Sequence, residues 1–245
     1  MLADCRVVLV RPHYAGNVGA TARAMRNFGL RDLYLVSPIA DHLDAEARRM
    51  STHGEAILDA ARIVATLDEA LGGCQQVLAT TANVAGPYRE HAYGRPDELL
   101  PKLAGMLRTG NTALVFGPEP SGLTNAEVAR CHGLIRILSS AEYPALNLSQ
   151  AVAICLCELH HQWLLIQNTA DHPTQPIAPF EDQERMFTHL QESLEAIHFL
   201  DGDKAETLMH ALRQLIARAG PSPNEVRILH GLARQIFRVA TKMDS

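Results

Sequence analysis

The hydrophobic pattern along the chain switches repeatedly between a strand-like and a helix-like period. Short aliphatic runs of buried-strand type occur at Arg6–Val10 (RVVLV), Leu33–Val36 (LYLV), Gln76–Thr80, Thr112–Phe116 (TALVF) and Leu134–Ile137. Arg62–Ala65 reads as a further short strand. Between these runs lie segments of helical period: Ala20–Phe28 with Gly29 as its stop, Asp44–Ala61 broken near Thr52-His53-Gly54, Leu67–Leu71, Asp97–Leu107, Thr124–Cys131 and Asn147–Ile166. Thr124 and Glu127 stand at capping-box spacing, and either Asn147 or Ser149 can cap the last of these helices. Arg11–Gly19, Thr81–Arg95 and Gly117–Leu123 carry glycine, proline and polar residues and read as loops.

Strand alternating with helix predicts an α/β fold, a mostly parallel sheet with helices on both faces. Ligands of such sheets bind at the carboxyl ends of the strands. Three stretches that follow strands therefore share one edge: Ala15–Gly19, Gly117–Leu123 and Ala145–Gln150. The third ends in a capped helix start, which presents free backbone N–H groups.

The pattern changes after residue 166. Residues 167–179, with Pro173, Pro176 and Pro179, read as a linker. Three helices without strands follow: Glu181–Phe199, Lys204–Ala219 and Pro223–Ala240. The expected organisation is a domain over 1–166, a linker over 167–179 and a small all-α region over 180–245, of a size suited to binding a partner or forming a dimer.

Composition narrows the function classes. The chain has 245 residues, 47% apolar and 20% charged, with a net charge of −5, so it is not basic throughout as a general nucleic-acid binder would be. Charge is uneven, however. Residues 1–31 hold five arginines (Arg6, Arg11, Arg23, Arg26, Arg31) against Asp4, and Arg213, Arg218, Arg227, Arg234, Arg238 and Lys242 stand against Glu225 and Asp244 near the end. Such local faces suit a polyanion or are simply solvated. Five cysteines without a C-x-x-C pair, and a start without a charged-then-apolar signal pattern, lead to the expectation of a reducing cytoplasm. No apolar run reaches the ~18 residues of a membrane span.

Several familiar chemistries do not fit. A dinucleotide loop wants glycine where Tyr14 stands and an acid where Ser37-Pro38 ends the second strand. Gly117–Gly122 lacks the Lys-Ser/Thr of a phosphate-binding loop, and no His/Cys/Asp/Glu spacing marks a metal site. His160 and His161 are neighbours on a helix and point to different faces, which suits surface or core packing.

Three motifs instead carry a resemblance. Asn17-x-Gly19-x-x-x-Arg23, Phe116-Gly117-x-Glu119-x-x-Gly122-Leu123 and Tyr143-x-x-Leu146-Asn147-Leu148-Ser149 together resemble the motifs of the SpoU-type (TrmH-like) ribose methyltransferases of the SPOUT superfamily. The likeness covers about residues 3–166 in order, spacing and context. The helical tail, with Leu35–Pro38 and Gly122–Glu127, is most similar to the branch that methylates tRNA, at cytidine or uridine 32 of the anticodon loop. Two departures stand out: Pro118 replaces an arginine common in the family, and Ser139-Ser140-Ala141 replaces a proline-containing segment.

The resemblance implies a SPOUT fold with a deep C-terminal trefoil knot, a rare exception to the rule against threaded chains. It implies S-adenosylmethionine as methyl donor, no metal, tRNA as substrate and a homodimer whose last helix (Val152–Ile166, with Trp163) and first loop meet the partner. The implied cofactor-binding residues are Thr80, Thr81, Ala82, Gly117, Gly122, Ile137, Leu146, Asn147 and Leu148. Arg23 is the implied catalytic residue, either as a base assisted by substrate phosphate or as an electrostatic stabiliser, since guanidinium normally stays protonated. Asn17, Glu119 and Ser149 are the other implied catalytic residues. Glu119 is expected to orient substrate or to pair with Arg23. Arg11, His13, Asn17 and Arg23 are expected to bind substrate. Methylation at another tRNA or rRNA site, and a SpoU-like module that binds RNA or cofactor without turnover, are the competing readings.

Overall fold

Seven strands pair into one sheet in the computed structural model, which describes residues 2–82, 93–140, 142–167 and 176–243. The strands are β1 (Cys5–Val10), β2 (Asp32–Val36), β3 (Arg62–Val64), β4 (Cys74–Thr80), β5 (Tyr93–Gly94), β6 (Asn111–Phe116) and β7 (Gly133–Ile135). Every pairing is parallel, in the order β3-β2-β1-β6-β4-β7-β5. The helices are α1 (Ala15–Asn27), α2 (Ala45–Ser51), α3 (Glu55–Asp59), α4 (Leu67–Leu71), α5 (Pro96–Met106), α6 (Asn125–Val128), α7 (Leu148–Gln167), α8 (Phe180–Ala196), α9 (Ala205–Ala219) and α10 (Pro223–Met243).

The continuous apolar character of β1 follows from burial on both faces. Val7 and Leu9 point to a core formed with Val18, Ala22 and Met25 of α1, Leu100 and Leu103 of α5, and Val152, Leu156 and Leu159 of α7. Val8 and Val10 point the other way, towards Leu67 and Leu71 of α4, Val128 of α6 and Phe180 of α8. Burying each such side chain contributes about 1.5–3 kcal/mol. Trp163 is half-buried against the first of these cores, so the outer face of α7 is left to Ile154, Leu164 and Leu165.

Helices α8–α10 build a third core from Met186, Phe187, Leu190, Met209, Val226 and Ala233. They are also fastened to the sheet layers. Glu184 of α8 takes Arg213 of α9 on one carboxylate oxygen and Arg130, just after α6, on the other at 2.8 Å. Gln214 Nε2 donates to the Cys131 carbonyl at 3.1 Å.

The elements depart from expectation in four places. Helix α1 begins at Ala15 rather than Ala20, so Gly16 and Gly19 lie in its first turns and not in a loop. The glycine at 19 answers a packing demand: a Cβ there would stand 2.1 Å from the Ala47 carbonyl oxygen of α2. The last strand stops at Ile135, because its neighbour β4 ends at Thr80, the partner of Ile135. Helix α6 stops at Val128, since His132 already pairs through its backbone N–H with the Val77 carbonyl at 2.9 Å. Tyr93–Gly94 pairs with β7 inside the expected Thr81–Arg95 loop. Residues 83–92 of that loop, 168–175 of the expected linker, and Ala141 lie outside the described residues.

Candidate active site

The chain leaves β1 for α1 on one face of the sheet and leaves β6 for α6 on the other, although β1 and β6 are neighbours. Diverging connections of this kind open a crevice at the carboxyl ends of the strands. A cavity of about 300 Å³ lies at this edge. One wall is the loop Gly117–Leu123. A second is Thr80, Thr81 and Ala82 at the end of β4, and a third is Ile137 with Pro144–Leu146 and Leu148.

The loop after β6 turns back on itself. Gly122 has φ +67°, and its N–H donates to the Pro118 carbonyl at 2.8 Å. A Cβ on Gly117 would lie 2.5 Å from the Leu123 nitrogen, so only glycine lets the two ends of the loop approach this closely. Leu148 is buried and Leu146 half-buried, giving an apolar cover beside exposed backbone groups. A wall of this type suits a purine and ribose, with backbone atoms reading polar edges.

A chain of hydrogen bonds joins the three motif loops. Asn17 Nδ2 donates to Glu119 Oε1 at 2.7 Å, and the His13 backbone N–H donates to Glu119 Oε2 at 3.0 Å. Asn147 Nδ2 donates to Asn17 Oδ1 at 2.9 Å. Asn147 Oδ1 in turn accepts from the Ser149 N–H at 2.9 Å and the Ser149 hydroxyl at 2.8 Å. Asn147, not Ser149, is thus the cap of α7. Both Glu119 oxygens are engaged by Asn17 and the first loop, and neither takes Arg23.

The structure therefore gathers Thr80, Thr81, Ala82, Gly117, Glu119, Gly122, Ile137, Leu146 and Leu148 around the cavity. Asn17, Asn147 and Ser149 do not line it; they are tied to Glu119 through the chain of hydrogen bonds. Arg11, expected to hold substrate, is committed to the Glu127 carboxylate: its Nη2 donates at 3.1 Å and its Nη1 donates to the other oxygen. Partial burial pushes the Glu127 carboxyl up, but Arg11 and the Thr124 backbone and hydroxyl outweigh it and hold the group below its ordinary range. The ion pair clamps the end of β1 to the cap of α6. The His13 ring is exposed beside Tyr14. Arg23 is exposed on α1 and has no hydrogen-bond or ion-pair partner among the described residues.

Residues 4–157 match the family model described as the SpoU rRNA methylase family. The chain belongs to the SpoU methylase family. Its tail places it in the TrmJ branch: residues 181–245 match the model described as the C-terminal domain of the tRNA methyltransferase TrmJ. Among SpoU methylases, the tRNA (cytidine/uridine-2'-O-)-methyltransferase TrmJ of Salmonella choleraesuis (strain SC-B67) is 36% identical over 241 residues, spanning 96% of this chain and 97% of that protein. The crystal structure of TrmJ from Z. mobilis ZM4 superposes with a TM-score of 0.77 at 29% identity, over 94% of this chain and 98% of that one. The SpoU methyltransferase AviRb from Streptomyces viridochromogenes, solved in complex with AdoMet, shares the fold with a TM-score of 0.51 at 24% identity, over 65% of this chain and 57% of that one. As a SpoU methylase the protein is a methyltransferase.

Sequence reasoning missed Ile135, Pro144 and Ala151 in the cavity wall and Glu127 as the partner of Arg11. The first three lie within three residues of ones it named. The role of Glu127 had no sequence signal beyond its capping position.

Proposed function

We propose that this methyltransferase transfers the methyl group of S-adenosylmethionine to the 2′-hydroxyl of a cytidine or uridine in tRNA, at position 32 of the anticodon loop, acting as a homodimer. The observation that carries the reading is the bridge Glu119–Asn17–Asn147–Ser149, which ties the loop after β6, the first turn of α1 and the start of α7 together beside one cavity. The cavity fits an adenosyl group: its volume of about 300 Å³ is at the small-molecule scale, its cover is apolar, and the close approach at Gly117 leaves backbone atoms in contact range. When bound, S-adenosylmethionine would supply an electrophilic methyl group: the C–O bond forms as the C–S bond breaks, and the proton of the 2′-hydroxyl passes to substrate phosphate or solvent.

The chain's own residues supply placement and charge. Leu146 and Leu148 cover the purine, and Gly117–Leu123 holds the ribose and sulfonium end. Ser149 and Asn17 position the ribose hydroxyl for in-line attack. Arg23 stabilises the developing oxyanion, because a guanidinium that stays protonated serves better as a fixed positive charge than as a base. Its exposed position on α1, with no partner among the described residues, suits service in the partner's active site, with Ile154, Leu164 and Leu165 of α7 in the subunit contact. The segment from β7 back to α7, passing beside Gly117–Leu123, is read as the knotted leg of the family. The AdoMet complex of a SpoU methyltransferase with the same fold, and the tRNA specificity in the name of the Salmonella relative, support cofactor and substrate.

The decisive experiment maps 2′-O-methyl groups in tRNA from cells with and without the gene. Loss of the methyl at position 32, restored by the wild-type gene and not by Arg23→Ala, is the expected result. An unchanged anticodon loop, or full methyl transfer by Arg23→Ala, overturns the proposal.

A further inference from the structure

A second cavity, of about 220 Å³, lies away from the proposed active site, between the sheet layer and the helical tail. Its walls come from Gln76 and Leu78 of β4, Leu99, Lys102 and Leu103 of α5, and Arg218 at the end of α9, with His132 in the floor and Tyr93 at the rim. None of these residues takes part in the site described above.

The chemistry of the lining is one-sided. His132 is 4% exposed. The Val77 N–H donates to its Nδ1 at 3.2 Å, which makes Nδ1 the acceptor and puts the ring proton on Nε2. That Nε2 is buried and has no hydrogen-bond partner among the described residues. A buried donor without a partner is costly in a folded protein and calls for an acceptor. At the mouth, Lys102 Nζ donates to the Arg218 carbonyl, tying α5 to the end of α9. No carboxylate pairs with the Lys102 ammonium or the Arg218 guanidinium among the described residues. The lining thus offers a neutral donor in His132 Nε2, apolar walls from Leu78, Leu99 and Leu103, the amide-bearing Gln76, and two basic residues, Lys102 and the exposed Arg218.

We propose that this cavity binds a small phosphate monoester, whose oxyanion is held by Lys102 and Arg218 and whose body lies against the leucine wall with an acceptor atom on His132 Nε2. The volume falls below that of drug-sized pockets, which limits the ligand to a small aryl or sugar phosphate. Burial holds His132 down to about 3, with Arg213 and Lys102 acting in the same direction, so the floor remains a neutral donor throughout the physiological range. Because Lys102 belongs to the sheet layer and Arg218 to the tail, an occupied site cross-links the two.

The test titrates the full chain with 4-hydroxyphenyl phosphate as probe, its ring hydroxyl oxygen being the acceptor for Nε2, following the His132 ring in long-range ¹H–¹⁵N spectra and the thermal midpoint. The expected result is a saturable shift of the His132 Nε2 signal with a rise in midpoint, both weakened about tenfold or more in Arg218→Gln and in Lys102→Gln. S-adenosylhomocysteine, the product analogue for the first cavity, does not displace the probe. Absence of a saturable shift, responses unaltered in both variants, or displacement by S-adenosylhomocysteine overturns the assignment. A His132 shift produced by tRNA and not by 4-hydroxyphenyl phosphate also overturns it, in favour of an RNA backbone contact. None of these outcomes depends on methyl transfer.

Discussion

A methyl group added at position 19 has nowhere to go, since the obstacle is backbone: the Ala47 carbonyl oxygen 2.1 Å away. Gly19→Ala must push α1 away from α2, and we expect a loss of about 1–3 kcal/mol in urea unfolding. Gly117→Ala meets the Leu123 backbone at 2.5 Å and acts locally, so calorimetry should show weakened S-adenosylmethionine binding with a smaller change in stability. His132 gives a pH signature. Its pKa is depressed from 6.5 to about 3 in the fold, so the unfolded chain takes up a proton first as pH falls. Its stabilising contribution is complete above about pH 6.5 and declines by about 1.4 kcal/mol per pH unit towards pH 3. Denaturation between pH 7 and pH 4 should show a shallower decline in His132→Gln than in the wild type. These residues also mark the limit of sequence reading at this scale. Gly16 and Gly19 look like loop formers because glycine breaks helices by propensity, and only the position of α2 reveals that Gly19 is a contact point.

Elements were more legible than their ends. The aliphatic runs at β1, β2, β4 and β6 and the capping box at Thr124 and Glu127 are local features, and local patterns survive into the structure. The end of β7 and the two-residue β5 depend on which strand lies alongside, which periodicity does not encode. Asn147 belongs to this scale because it does two things with one side chain. Asn147→Ala removes the cap of α7 and the bridge to Asn17, and should lower stability by about 1 kcal/mol while raising the KM for tRNA. Asn147→Asp keeps the capping oxygen and loses the amide donor, so a stability near wild type with the same kinetic defect would separate the two roles.

At the scale of the whole molecule, the candidate site was legible as three loops, because strand–loop–helix order alone places them on one sheet edge. That Glu119 holds the first loop, that Arg11 serves Glu127 and that Arg23 has no partner among the described residues were not legible, since each depends on contacts across about a hundred residues of chain or on their absence. The exposed Arg23 leads to a prediction for the assembly. A mixture of Arg23→Ala and Gly117→Val subunits, each inactive alone, should regain methyl transfer after co-refolding, because one composite site then has both the arginine and the intact cofactor loop. Failure to regain activity in demonstrated mixed dimers would place Arg23 in the site of its own subunit.

The strand order carries a consequence for how the protein is made. The interior strand β1 is the first strand synthesised, yet one of its two neighbours is β6, whose first residue lies about a hundred residues later. At ribosomal speeds of about 5–20 residues per second, that side of β1 waits for roughly 5–20 s with its backbone groups unsatisfied by the sheet. Val7, Val8, Leu9 and Val10 are apolar throughout, so the nascent chain carries a sticky edge for that interval. Slowing translation just before β6 would prolong this exposure and should increase aggregation during synthesis without altering the finished protein.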